Sequence, residues 1–212
     1  MNEGYMDVLR SIASSEPTPG GGSVAALSLA HAHSLSLMVA RLTLAKEKWA
    51  EGHDAAKASI ELSEPGLEEA ILLAISDSEA FESVMSAYRL PKETEDEKIQ
   101  RSEEIRKATI GAALAPLNTA SSAQKLLSNL EKQSASCNPN ALTDLASASE
   151  MALSAAKIAS LNVRINLEYI EGEDVDLLTS KINTVVEQSI DCLLYTSPSP
   201  RDPKSSRMPS SA

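Results

Sequence analysis

The sequence predicts an all-α bundle of about five to six helices, and three observations carry that reading. Apolar residues recur at helical spacing, and no stretch alternates with period two for long enough to make a convincing strand. Capping and stop signals punctuate these runs at intervals suited to bundle helices. Aromatic residues make up only 3% of the chain, with one Trp and one Phe, so the interior must be filled by small side chains between closely approaching helices. At 212 residues the chain is long enough for a single domain around one core.

The elements follow in order. Asn2 to Ser14 is a short amphipathic segment, ended by the Pro17-to-Gly22 loop. Ser23 is positioned as the cap of a second helix running to about Lys48. A third pattern begins near Asp54, is interrupted around Glu64-Pro65-Gly66, and resumes to Tyr88. Leu90-Pro91 ends it, because a residue before proline disfavours helical dihedrals. Thr94 and Glu97 form a capping box that opens a long helix to about Lys132. Pro116 lies inside that helix; it should kink it and leave the carbonyl one turn earlier unpaired. Asn138-Pro139 starts the next helix, with Asn as cap and Pro where its missing N–H costs little, and this helix continues to about Leu167. A last one, Asp174 to Cys192, is read from Leu177, Leu178, Ile182, Val185, Val186 and Ile190. The domain proper is therefore 1–194. From Tyr195 onward ten of the last eighteen residues are Ser or Pro, a segment expected to be a disordered, non-native appendage.

Charge excludes some function classes. The chain carries −11 at pH 7; setting aside Arg201, Lys204, Arg207 and Asp202 of the tail leaves −13. A general nucleic-acid or anionic-membrane binder needs a basic face, so neither partner is expected. The run from Val24 to Ala40 has no charged residue, yet His31, His33 and several serines fit a buried bundle helix better than a membrane span. Cys137 and Cys192 lie far apart, and no signal segment precedes the first helix, so free thiols in a reducing cytoplasm are expected.

The most informative motif is Pro17-Thr18-Pro19-Gly20-Gly21-Gly22-Ser23, which joins a backbone without side chains to a helix start. Glycines let main-chain N–H groups approach a ligand closely, and the helix N-terminus adds unpaired donors and a positive dipole end. The same residues could equally form a passive loop and cap. The spacing is neither a P-loop nor a dinucleotide fingerprint. Replacing Gly21 by a β-branched residue should show which reading holds.

Three segments, PTPGGGSVAALSLAHAHSLSLMVARLTLAKEKW, SDSEAFESVMSAYRLPK and NPNALTDLASASEMALSAAKIASLNVRIN, stand in the same order as in the cyclodeaminase/cyclohydrolase family of folate one-carbon enzymes, which the chain resembles from about Met6 to Asp191. The family includes the C-terminal domain of formiminotransferase-cyclodeaminase and stand-alone methenyltetrahydrofolate cyclohydrolases. The resemblance implies an all-helical homodimer without metal or redox cofactor. Its substrate would be a reduced folate or its polyglutamylated form, and the chemistry either ammonia expulsion from 5-formiminotetrahydrofolate or ring opening of the 5,10-methenyl form. Departures stand at His31 and His33, where the family favours Ala or Gly, and at Thr143, where Ser often precedes the aspartate.

Asp77 matches the family's acidic position ahead of Ala-Phe. Helical spacing puts it on a face with Leu73, Ala74 and Phe81, so it is either a paired structural carboxylate or a functional one. The resemblance makes it the catalytic acid-base group. Glu79 points elsewhere. Pro19, Gly20, Gly21, Gly22, Ser23 and Asp144 become substrate-binding candidates by the same resemblance. Arg41, Lys46, Arg89 and Lys92 are candidates for the glutamate tail, or basic side chains near helix ends that favour the dipole. Asn162 and Asn166 share a helix face where their amides read a pterin edge or tie helices together. His31 and His33, two apart, point in nearly opposite directions and cannot clasp one metal; nothing marks a Ser-His-Asp nucleophile. A non-catalytic folate-binding protein and a helical interaction module are the competing readings.

Overall fold

A computed structural model describes residues 3–196 of the protein, with side chains to residue 192; the rest of the expected tail lies outside the described residues. Among the described residues there are helices and no strands, as expected. In order they are α1 (Glu3–Ile12), α2 (Gly21–Leu44), a 3-10 turn (Glu47–Gly52), α3 (His53–Tyr88), α4 (Glu95–Ser134), a second 3-10 turn (Pro139–Ala141), α5 (Leu142–Leu167) and α6 (Glu173–Thr196).

Helices α2, α3, α4 and α5 close a ring in which α2 packs on α3 and α5, and α4 on α3 and α5, while α6 lies against α4 and α5. Alanine supplies most of the buried apolar positions, among them Ala25, Ala32, Ala113, Ala120, Ala152 and Ala159. Leu29, Leu117, Leu126, Leu127 and Leu130 fill the remaining volume. Helices carrying alanine on their facing sides approach closely, which accounts for a core built almost without aromatics. Helix α2, uncharged up to Arg41, has the length and hydropathy of a membrane span, but in this fold it packs against α3 and α5. It buries Ser23, His33, Ser36 and Thr43 along with its alanines. Ser36 Oγ donates to Gln133 Oε1 (3.0 Å), and Gln133 Nε2 donates back to Ser36 O (3.1 Å), so this polar pair is satisfied between α2 and α4.

Local signals acted largely as read. The Thr94 hydroxyl accepts from Glu97 N (3.2 Å) and the Glu97 carboxylate accepts from Thr94 N (3.0 Å), completing the capping box of α4. Asn138 Oδ1 accepts from Asn140 N at 3.1 Å, although a 3-10 turn precedes α5 proper.

Two expectations are corrected. Ser23 does not cap α2: the helix begins at Gly21, Gly20 is the cap with extended dihedrals and no side-chain cap bond, and the Ser23 hydroxyl is turned toward α3. Glu64-Pro65-Gly66 does not interrupt α3, which runs through it as one helix. Pro65 is exposed and forfeits one ladder bond, a cost of about 3 kcal/mol that packing on both α2 and α4 offsets. Gly66 is buried for another reason: a Cβ there would fall 2.7 Å from His33 Nε2, so the glycine is the slot that admits the imidazole from α2. Burial pushes His33 down to about 4, and its Nδ1 has no partner among the described residues. His31 turns away, donating from Nδ1 to Leu27 O at 2.7 Å while Tyr5 Oη lies 3.4 Å from Nε2.

Candidate active site

Where α2 begins, it faces the second half of α3, and here Asp77 meets the glycine segment. A Cβ on Gly22 would coincide with the Asp77 carboxylate, so only glycine admits that side chain. Ser23 Oγ donates to Asp77 Oδ2 at 3.0 Å and lies 3.1 Å from Ala74 O and 3.2 Å from Ser78 Oγ. The backbone amide of Ser23 also favours the charged carboxylate. The position is that of an anion at a helix N-terminus, where unpaired donors and the dipole favour negative charge. Burial works against this and prevails, holding the Asp77 carboxyl above the usual carboxylate range despite the Ser23 hydrogen bonds. A half-buried carboxyl displaced toward neutrality, hydrogen-bonded on one side and open on the other, is suited to taking up and returning a proton.

The open side is a cavity of about 240 Å³ lined by Gly20, Gly21, Gly22, Asp77, Asn162 and Asn166, together with Pro17, Thr18, Phe81, Val84 and Ala112. The two asparagines arrive from α5 by different routes. Asn162 Nδ2 donates to Ile158 O on its own helix at 2.9 Å. Asn166 Nδ2 donates across to Ala112 O of α4 at 2.8 Å. Ala112 stands one turn before Pro116, which has no N–H to give it, so the carbonyl freed by the proline is the one that holds Asn166. A carbonyl can only accept, which fixes the NH2 side of the amide toward Ala112 and leaves Oδ1 as an acceptor at the cavity wall.

The other sequence candidates are distributed less tightly. Pro19 shapes the loop, its bond to Thr18 being cis, but does not line the cavity; Ser23 lies beneath Asp77 rather than in the opening. Gly21 lines the wall, yet a Cβ there would make only ordinary contact with Asn162 Nδ2 at 3.6 Å, so the steric demand falls on Gly22. Arg41 is exposed and paired with Glu64 at 2.9 Å, about 30 Å along α2 from Gly21. Lys46 is exposed beyond that same end. Arg89 and Lys92 are exposed past the end of α3, with Arg89 about 18 Å along the helix from Asp77. Asp144 is half-buried in the first turn of α5, about 27 Å along it from Asn162. None of these five lines the cavity. Glu79 is exposed and faces a larger cleft of about 820 Å³ between α3 and α4 that also carries Glu82, Glu104 and Lys107 but none of the candidate site residues. The sequence candidates omitted the lining residues Pro17, Thr18, Phe81, Val84 and Ala112; Pro17 and Thr18 belong to the glycine motif, Phe81 shares the Asp77 face and Ala112 stands four residues before Pro116, so Val84 alone had no signal.

A family model for formiminotransferase-cyclodeaminase matches residues 5–184. The chain belongs to that family. Within the formiminotransferase-cyclodeaminase family it is similar to a methenyltetrahydrofolate cyclohydrolase from Methylorubrum extorquens, 36% identical over 80% of this chain and 82% of that protein. It is 28% identical to the formimidoyltransferase-cyclodeaminase of Gallus gallus over 83% of this chain but only 32% of that protein, so it spans about a third of the chicken chain. The fold matches the crystal structure of formiminotetrahydrofolate cyclodeaminase from Thermotoga maritima with a TM-score of 0.80 and 26% identity, over 92% of this chain and 93% of that one.

Proposed function

We propose that this protein is a folate one-carbon enzyme that works on the carbon between N5 and N10 of tetrahydrofolate, with ring-opening hydrolysis of the 5,10-methenyl form as its reaction. The observation that carries this is the half-buried Asp77 carboxyl opening on a small cavity walled by glycines and two asparagines. The identity shared with the Methylorubrum cyclohydrolase across most of both chains supports the choice of reaction. Likeness to the Thermotoga cyclodeaminase favours a second reading, cyclodeamination of 5-formiminotetrahydrofolate, on the same residues.

In hydrolysis, water adds to the amidinium carbon and Asp77 takes its proton. The tetrahedral carbinol then collapses: its hydroxyl proton leaves, the C–N5 bond breaks, N5 gains a proton and 10-formyltetrahydrofolate departs, with one proton released overall. In cyclodeamination, N10 attacks the protonated formimino carbon, and Asp77 carries the N10 proton to the amino group, which leaves as ammonia. Both routes pass positive charge through the N5–C–N10 unit, which the carboxylate stabilises. Neither is a redox step, so the reading calls for no cofactor. The Asn162 and Asn166 amide oxygens suit the N–H-rich edge of a pterin.

The buried thiol of Cys137 fits a reducing cytoplasm. Arg89 and Lys92, at the end of α3, are the basic groups best placed for a polyglutamate tail. A homodimer is supported by α1, which buries none of its own residues and leaves Met6, Val8 and Leu9 about two-fifths exposed; sedimentation showing only monomer at micromolar concentration would remove that part.

The test is spectroscopic. Purified protein is mixed separately with 5,10-methenyl- and 5-formiminotetrahydrofolate, and the methenyl absorbance is followed. Accelerated decay of the first supports hydrolysis, growth from the second supports cyclodeamination, and uncatalysed rates with both refute the enzyme reading.

A further inference from the structure

The cavity beside Asp77, at about 240 Å³, is smaller than the ~300 Å³ at which pockets for drug-sized ligands begin. It has room for a ring system, and the remainder of a reduced folate must lie elsewhere. Directly adjoining it, and sharing Val84 and Asn166 as common wall, is a cleft of about 410 Å³ between the ends of α3, α4 and α5. Tyr88 stands on one side, Tyr169 on the other, and Ile105 and Ile165 contribute apolar surface.

Two features mark this cleft as more than a gap between helices. The chain has six aromatic residues in all, and Phe81, Tyr88 and Tyr169, half of them, line this cleft or the adjoining cavity. Tyr169 is 85% exposed and Tyr88 52%, so neither ring is spent on the protein's own core. The second feature is the fate of the one arginine in the wall. Arg106 Nη2 and Nη1 lie 2.7 and 3.1 Å from the Asp174 carboxylate, and Nη2 donates to Glu171 O at 2.9 Å. Gly172, at φ +138, makes this possible, since a Cβ there would stand 2.7 Å from Arg106 Nη2. The guanidinium is neutralised by its partners, and Glu171 and Asp174 make that edge of the cleft unfavourable for a carboxylate. The wall therefore suits a flat, uncharged aromatic group.

We infer that this cleft is the aryl subsite of the enzyme, in which Tyr88 and Tyr169 hold the p-aminobenzoyl ring of a reduced folate whose pterin lies against Asp77. The inference rests on the folate reading above and assigns the part of the substrate which the catalytic cavity cannot contain. Offset or edge-to-face packing against a tyrosine ring provides the attraction.

The experiment compares two ligands by anaerobic isothermal titration: 5-formyltetrahydrofolate, which has the aryl group, and 6-methyltetrahydropterin, which lacks it. In Tyr169→Ala and Tyr88→Ala, affinity for 5-formyltetrahydrofolate is expected to fall about tenfold, while affinity for the pterin stays within about twofold; Tyr169→Phe keeps the ring and should retain full affinity. Unchanged folate affinity in both alanine variants, or equal loss for both ligands, overturns the aryl subsite while leaving the folate reading intact. If the unsubstituted protein binds neither ligand, the folate reading falls and the subsite with it. Circular dichroism melting of each variant confirms that the exposed substitutions leave the bundle folded.

Discussion

Helices α2 and α3 exchange polar side chains through two glycine slots, about three turns apart along each helix. At one, Gly22 of α2 admits Asp77 of α3; at the other, Gly66 of α3 admits His33 of α2. Burial pushes both groups toward their neutral forms, raising Asp77 and lowering His33. What separates them is the other side of each group. Asp77 has the Ser23 hydroxyl behind it and a cavity in front. His33 is 2% exposed with Nδ1 unpartnered, and its imidazole fills space. The same packing device thus leaves a carboxyl open to a cavity at one end and seals an imidazole at the other.

The largest effect expected is from Asp77→Asn, which keeps size and removes the basic lone pair. Single-turnover rate should fall by roughly 10² to 10⁴ with ligand affinity less changed. A folded variant with near unsubstituted chemistry would make Asp77 a second His33. The glycine slots offer the next contrast. Gly22→Ala should displace the carboxylate and cost about 10²-fold in kcat, whereas Gly66→Ala should cost about 2 to 3 kcal/mol of stability and leave activity per folded molecule unchanged. Urea titration and kcat on the same preparations distinguish the two; equal activity loss at both positions would erase the distinction.

Acid stability sharpens the comparison further, because the two groups act with opposite sign. His33 titrates near 4 in the folded protein and about 6.5 unfolded, so the unfolded chain takes up a proton that the folded one refuses. The His33 contribution to stability is full above about pH 6.5 and declines as pH falls toward 4, by on the order of 3 kcal/mol. Asp77, raised on folding, contributes stability that is present in acid and lost as pH rises through its folded value. Denaturant midpoints at pH 4.5 and 7.5 should therefore differ less in His33→Met than in the unsubstituted protein. A slope unchanged by that substitution would show that His33 is not its source.

The smallest effect concerns Pro116→Ala, which returns a helical N–H to Ala112 O and so competes with Asn166. KM should rise by about threefold to tenfold with kcat little changed, in keeping with the loss of one net hydrogen bond that positions a side chain. An unaltered KM would mean that Asn166 does not depend on the proline for its orientation.

Legibility in the sequence followed the range of each interaction. The Thr94–Glu97 box, the Asn138-Pro139 start and the carbonyl freed by Pro116 were readable because each involves residues within about one turn of each other. Asp77 and the glycine segment were found through the ordered motifs, and their contact was not, since helical periodicity names a face without naming its neighbour. For the same reason Pro65-Gly66 read as a break. A proline and glycine in a row are a stop signal locally, and only the ring of His33 arriving from another helix shows why the glycine is there.

By itself, then, the amino-acid order determined an all-helical, aromatic-poor bundle and the position of nearly every helix, and it singled out Asp77 as a carboxyl on an apolar face. Tertiary structure alone decided which glycine admits Asp77, which carbonyl holds Asn166, and that Arg41, Lys46, Arg89, Lys92 and Asp144 stand away from the cavity. Periodicity and capping are set by neighbours along the chain, whereas slots, amide orientation and clefts exist only between helices, and their geometry is fixed when the alanine faces close.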